Sequence, residues 1–128
     1  MLDKSASWFF KAAAFSNWIL CGTGMLLMKQ HFLWLGEDVP ASLGMHYFVL
    51  FLGIYFGFMY WEISRSPSEK VLLMRFGFLA KLTGSVAWAV LLGFKQFPSS
   101  SWPAALLSDI LWLPFFASFY LKYARRAA

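Results

Sequence analysis

The chain has 128 residues, of which 60% are hydrophobic, 21% aromatic and only 13% charged, and its formal net charge is +5. A soluble domain carries about a quarter of its residues charged, so this composition argues against an ordinary soluble fold and for the membrane class. The single cysteine, Cys21, excludes an internal disulfide and a cysteine-based metal centre.

In chain order, the first apolar run extends from about Ala6 to Met28. It is too long for the apolar region of a signal peptide, and no small-residue cleavage site follows it, so it reads as an uncleaved span. The stretch KQHFLWLGEDVPAS comes next. Phe32, Leu33, Trp34 and Leu35 are expected to lie flat in an interface, and Gly36, Glu37, Asp38 and Pro40 to turn the chain. Ser42 is placed to cap a second span, about Leu43 to Ile63. SRSPSEK then makes a tight turn, in which Pro67 stops one helix and Ser66 or Ser68 starts the next. The third span is Val71 to Phe94, and KQFPSSSWP is a loop containing Pro98. The fourth span, about Pro103 to Tyr123, contains Pro114, which should bend it. Each run is roughly 20 residues, the length that crosses about 30 Å of hydrocarbon. Trp8, Trp61, Trp102 and Tyr123 fall near span ends, as an aromatic belt requires. The predicted fold is all-α: a single domain over residues 1–128, an integral-membrane antiparallel four-helix bundle.

The charge has a direction. Lys4, Arg65, Lys70, Arg75, Lys122, Arg125 and Arg126 gather at the N-terminus, the second loop and the C-terminus, which share one side in a four-span topology. The excess of Lys and Arg makes that side cytoplasmic. Topology and anionic lipid account for the basic balance, and no nucleic-acid partner is implied.

Each span carries its small and polar residues on one face. The third shows Gly77, Lys81, Gly84 and Trp88 at steps of four, three and four; the second shows His46, Gly53, Gly57 and Tyr60. Ala13, Asn17, Cys21, Gly24 and Met28 share a face of the first, and Asp109, Trp112 or Leu113, and Phe116 share one of the fourth. Gly53 and Gly57 form a G-x-x-x-G, a helix-packing element within one chain or between two copies. Turned inward, these faces put Lys81 in the bundle with Asp109 as its partner. Their backbones differ in depth by roughly 10 Å, most of which a lysine stem can reach over. Asn17 and His46 are candidate further members. One reading makes Lys81, Asp109, His46 and Asn17 the lining of a ligand pocket. The other makes Lys81 and Asp109 a buried pair that sets helix register, Asn17 an interhelical hydrogen bonder and His46 an interfacial residue. Glu62 and Arg75 are expected to pair across the second loop, and Lys11 to snorkel. The aromatic residues would face lipid or stack on a pigment, quinone or sterol-like ligand. His46 could ligate haem or chlorophyll, but it has no second histidine for a sandwich, and no serine stands out as a nucleophile. The residues name no cofactor and no metal site.

From Gly53 onward, GIYF, SRSPSEKVLLMRFGFLAKL and SDILWLPFFASFYLKY carry a pattern. Gly53 and Tyr55 precede Pro67 in a short basic turn. Gly77 stands four residues before Lys81, and Asp109 precedes Pro114, Phe115 and Phe116. The pattern resembles the DoxX-like family of small bacterial four-helix membrane proteins. The resemblance implies a bundle in the bacterial inner membrane with a functional Lys and Asp. On size and lack of a soluble domain, the expected role is an accessory subunit of a larger membrane complex. The alternative is a binding or transport module for a quinone, lipid or other amphipathic ligand at Lys81 and Asp109.

Overall fold

We describe a computed structural model, which covers residues 2–34, 36–95 and 102–127. Among these residues the chain is helical, with no strand. Helix α1 spans Leu2–Leu26, with Asp3 in its first turn where the helix dipole favours an anion. Gly22 and Gly24 flank Thr23, whose Oγ1 donates back to the Ile19 carbonyl at 2.6 Å and the Leu20 carbonyl at 3.2 Å. Back-bonding of this kind weakens a helix, and regular geometry breaks at Leu27. A short second helix, α2, follows at Met28–Trp34. Phe32, Leu33 and Trp34 therefore sit on a helix rather than in an extended interfacial segment; Leu35 lies outside the described residues. Gly36 ends α2 at φ 71°. Its N–H donates to the Leu33 carbonyl and that of Glu37 to the Phe32 carbonyl, a pairing in which a glycine takes the left-handed position.

Helix α3 is Gly44–Arg65 and α4 is Val71–Gly93. Both are long and apolar enough to cross a membrane. Neither start is capped by a serine. Leu43 and Lys70 hold the cap positions without side-chain hydrogen bonds, so Ser42, Ser66 and Ser68 do not play the roles expected of them. The turn between them closes through the backbone, Glu69 N–H to the Ser66 carbonyl and Lys70 N–H to the Pro67 carbonyl. Glu62 pairs with Arg65 on its own helix at 3.4 Å, one turn away, instead of reaching Arg75. Pro98 and its neighbours from 96 to 101 lie outside the described residues.

The expected fourth span is not one helix. It consists of α5 (Trp102–Ala105), a π-helical turn at Leu106–Ile110, and α6 (Leu113–Ala127). Pro114 has no N–H to give the Ile110 carbonyl, and the break falls just ahead of it at Leu111 and Trp112.

Consecutive long helices run antiparallel. Gly24 faces Leu50, Cys21 faces Gly53 and Trp18 faces Gly57, so α1 and α3 pass closely in opposite directions. A Cβ at Gly57 would run into the Trp18 indole, and one at Gly53 into the Cys21 sulfur. The G-x-x-x-G is thus occupied by this chain's own α1 and is not left open for a second copy. Gly77 of α4 admits Phe116 of α6 and Tyr60 of α3, with the site of its missing Cβ 3.0 and 3.1 Å from their rings.

The core lies towards the end that holds both termini and the α3–α4 turn. Phe10, Tyr60, Ile63, Met74 and Phe116 are fully buried there. Phe10 and Phe116 meet edge to face with centroids 5.2 Å apart, Tyr60 and Phe116 lie at 4.9 Å, and Phe9 packs on both Phe116 and Phe119. Part of the aromatic content is therefore internal packing, on the inward faces that carry Tyr60 and Phe116, and not all of it is surface for lipid or a ligand. Tyr123 donates to Asp3 at 2.5 Å and ties the end of α6 to the start of α1.

Candidate functional site

The polar site is built by the π turn. In it the Leu111 N–H donates to the Leu106 carbonyl five residues back, and the Trp112 N–H donates to the Asp109 carbonyl. This register denies the Leu107 and Ser108 carbonyls the amides that an α-helix would give them. Side chains take both places. The Trp112 indole Nε1 donates to the Leu107 oxygen at 2.8 Å, and the Lys81 ammonium donates to the Ser108 oxygen at 2.6 Å. Lys81 Nζ also reaches Asp109 Oδ1 at 3.2 Å, and the Ser108 hydroxyl donates to Asp109 Oδ2 at 3.0 Å.

Gly84 makes this geometry possible. A Cβ there would stand 2.7 Å from the Asp109 carboxyl carbon, so the carboxylate occupies the space a side chain would have filled. Lys81 is 5% exposed, and its ammonium lies 5.7 Å from the Tyr60 ring centroid. Tyr60 belongs to α3, and Cys21 of α1 packs against Gly53 of the same helix. The pair is thus surrounded by the other long helices, and its ionic and hydrogen-bonding capacity is largely taken up within the chain.

Lys81 and Asp109 are brought together, but His46 and Asn17 do not join them. Asn17 Nδ2 donates to the Gly53 carbonyl at 2.9 Å, one residue from the Ile54 carbonyl that receives Trp18 Nε1 at 3.2 Å. These two bonds lace α1 to α3. His46 packs its ring edge-on against Phe32 of α2 with centroids 5.1 Å apart, and its buried Nδ1 has no hydrogen-bond partner among the described residues. Ser108 and Trp112 complete the site. The sequence reading placed Trp112 or Leu113 on an inward face but gave Ser108 no part, because its bond to Lys81 uses a backbone oxygen freed by the π register.

Two shallow apolar grooves mark the surface. One, of about 290 Å³, lies between α1 and the π turn and is lined by Ser16, Ile19, Leu20, Leu107, Leu111 and Trp112. The other, of about 390 Å³, is lined by Trp18, Ile54 and Phe58 between α1 and α3. Neither is lined by Lys81 or Asp109. Comparison with known protein families, with characterised proteins and with solved structures gave no match for the chain.

Proposed function

We propose that the chain is a four-span integral membrane protein, an antiparallel bundle of α1, α3, α4 and the broken α5–α6 segment. In this reading it sits in a bacterial cytoplasmic membrane with both termini inside. Its role is that of a small accessory subunit packed against a larger membrane complex, and its DoxX-like character belongs to the same proposal. Support for the membrane comes from α3, where Met45, Phe48, Val49, Phe51, Tyr55 and Phe58 stand exposed on a helix long enough to span. Water does not tolerate so continuous an apolar face, whereas acyl chains and partner helices do.

The observation that carries the accessory role is the self-sufficiency of the intramembrane charge. Lys81 is buried and bonded to Ser108 and Asp109 of its own chain. A transport or quinone site would need that ammonium to face a cavity, and neither groove is lined by Lys81, the first reaching only the Trp112 side of the π turn. The charge then specifies which helices are neighbours, and contact surface is what the protein has to offer. Native mass spectrometry on protein drawn gently from its own membranes tests this. A stoichiometric larger partner is the expected result. A lone chain carrying a fixed small-molecule mass that is lost in Lys81→Met would instead favour the binding module.

A further inference from the structure

Eight of the eleven Lys and Arg lie at the end that holds the termini and the α3–α4 turn, with three of the six carboxylates, so the whole net charge of +5 sits there. Part of this charge is organised. Lys4, Trp8, Lys11 and Phe15 follow one another on α1 at steps of four, three and four, a single stripe on the outer surface. Trp8 is 73% exposed and Phe15 50%. The Lys11 ammonium lies 5.5 Å from the Trp8 ring centroid. The stripe runs on across α3: Phe15 meets Trp61 at 5.9 Å between centroids, and Trp18 meets Phe58 at 5.1 Å. Beyond them lies the apolar groove of Trp18, Ile54 and Phe58. Arg65, seven residues after Phe58 on the same face of α3, returns to the basic end with its side chain 66% exposed; its pairing with Glu62 at 3.4 Å is solvent-exposed and leaves the other guanidinium donors for a phosphate.

We infer that this track is a binding site for one anionic phospholipid. Its phosphodiester sits among Lys4, Lys11 and Arg65 beside the Trp8 indole, its glycerol lies between Lys11 and Phe15, and an acyl chain runs over Phe15 and Trp61 into the groove. The chemistry selects this occupant because two cations flanking an amphipathic indole give way to aromatic rings and an apolar channel along a single line. Lys11 and Trp18 are seven residues apart, about 10 Å along the helix, which is the passage from headgroup to hydrocarbon. An acidic protein segment would match the cations and leave the apolar half unused.

The inference rests on the membrane reading above. The test titrates the detergent-solubilised chain with phosphatidylglycerol and, separately, phosphatidylcholine, and reads bound lipid by native mass spectrometry. Phosphatidylglycerol should bind more tightly. The double variant Lys4→Gln/Lys11→Gln should weaken it about thirty-fold and Arg65→Gln alone about five-fold, whereas Lys29→Gln/Lys95→Gln at the opposite end should leave it unchanged. Equal binding of the two lipids by the native chain would overturn the site, as would equal losses at both ends. Retention of an acidic protein in place of lipid would overturn it too. A chain that needs no detergent to stay dispersed defeats the membrane reading and the site together. One that needs detergent but shows no preference defeats the site alone.

Discussion

Lys81 donates to two oxygens of the π turn, and neither is replaceable by water if the segment lies in hydrocarbon. Removing one partner of a buried pair strands the other, which typically destabilises by about 3–5 kcal/mol, whereas removing both charges is nearly neutral. Lys81→Met should therefore lower the thermal unfolding temperature in detergent sharply. Lys81→Met/Asp109→Asn should recover the part due to the stranded carboxylate, while the Ser108 carbonyl stays without its donor. If the double variant is as unstable as the single one, the carboxylate is not what the lysine neutralises. Gly84→Ala tests the same contact from the other side. Its Cβ would stand 2.7 Å from the Asp109 carboxyl carbon and push the carboxylate off the ammonium, an overpacking penalty of about 1–3 kcal/mol. A variant as stable as the native chain would mean that Asp109 has room to retreat.

At the scale of the elements, the broken fourth segment depends on side chains to satisfy what its register leaves open. Trp112→Phe keeps the ring and removes the donor to the Leu107 carbonyl. In an apolar surround an orphaned carbonyl costs about 1–3 kcal/mol, and the loss should appear as lower stability in detergent. Stability equal to that of the native chain would show that solvent or lipid headgroups reach that oxygen. Much of the helical layout was legible in the sequence. The apolar runs at Leu43–Ile63 and Val71–Phe94 match α3 at Gly44–Arg65 and α4 at Val71–Gly93, because length and the Pro67 turn fix them. The step of four and three at Gly77, Lys81 and Gly84 marked the inward face of α4, since only small residues and a paired charge suit a crowded interior. Pro114 marked the bend. The π register did not announce itself, because no residue type encodes an i→i−5 bond and the acceptor it frees is backbone. The α2 helix was also missed, since a seven-residue aromatic segment carries too few turns to show a period. His46 and Asn17 lay on the inward faces of their own helices, yet an inward face says nothing of depth: Asn17 bonds the Gly53 carbonyl and His46 packs on Phe32.

For the molecule as a whole, the charge asymmetry makes orientation a measurable quantity. The end holding Lys4, Arg65, Lys70 and Arg125 carries the net positive charge, while the end holding Glu37 and Asp38 offers only Lys29 and Lys95 against them. In the proposed membrane topology, an excess of Lys and Arg flanking short loops would hold that end in the cytoplasm. Ser68, in the α3–α4 turn, and Ser42, ahead of α3, are both exposed and lie at opposite ends of α3. Cysteines placed singly at these positions in a Cys21→Ser background should therefore behave oppositely towards a membrane-impermeant maleimide. In intact cells Ser42→Cys should label and Ser68→Cys should not, until the membrane is opened. The reverse pattern would invert the topology while leaving the span intact. Equal labelling of both before opening, or equal protection of both, would mean that α3 does not cross the bilayer. A helix long and apolar enough to span would then be buried against a protein partner instead.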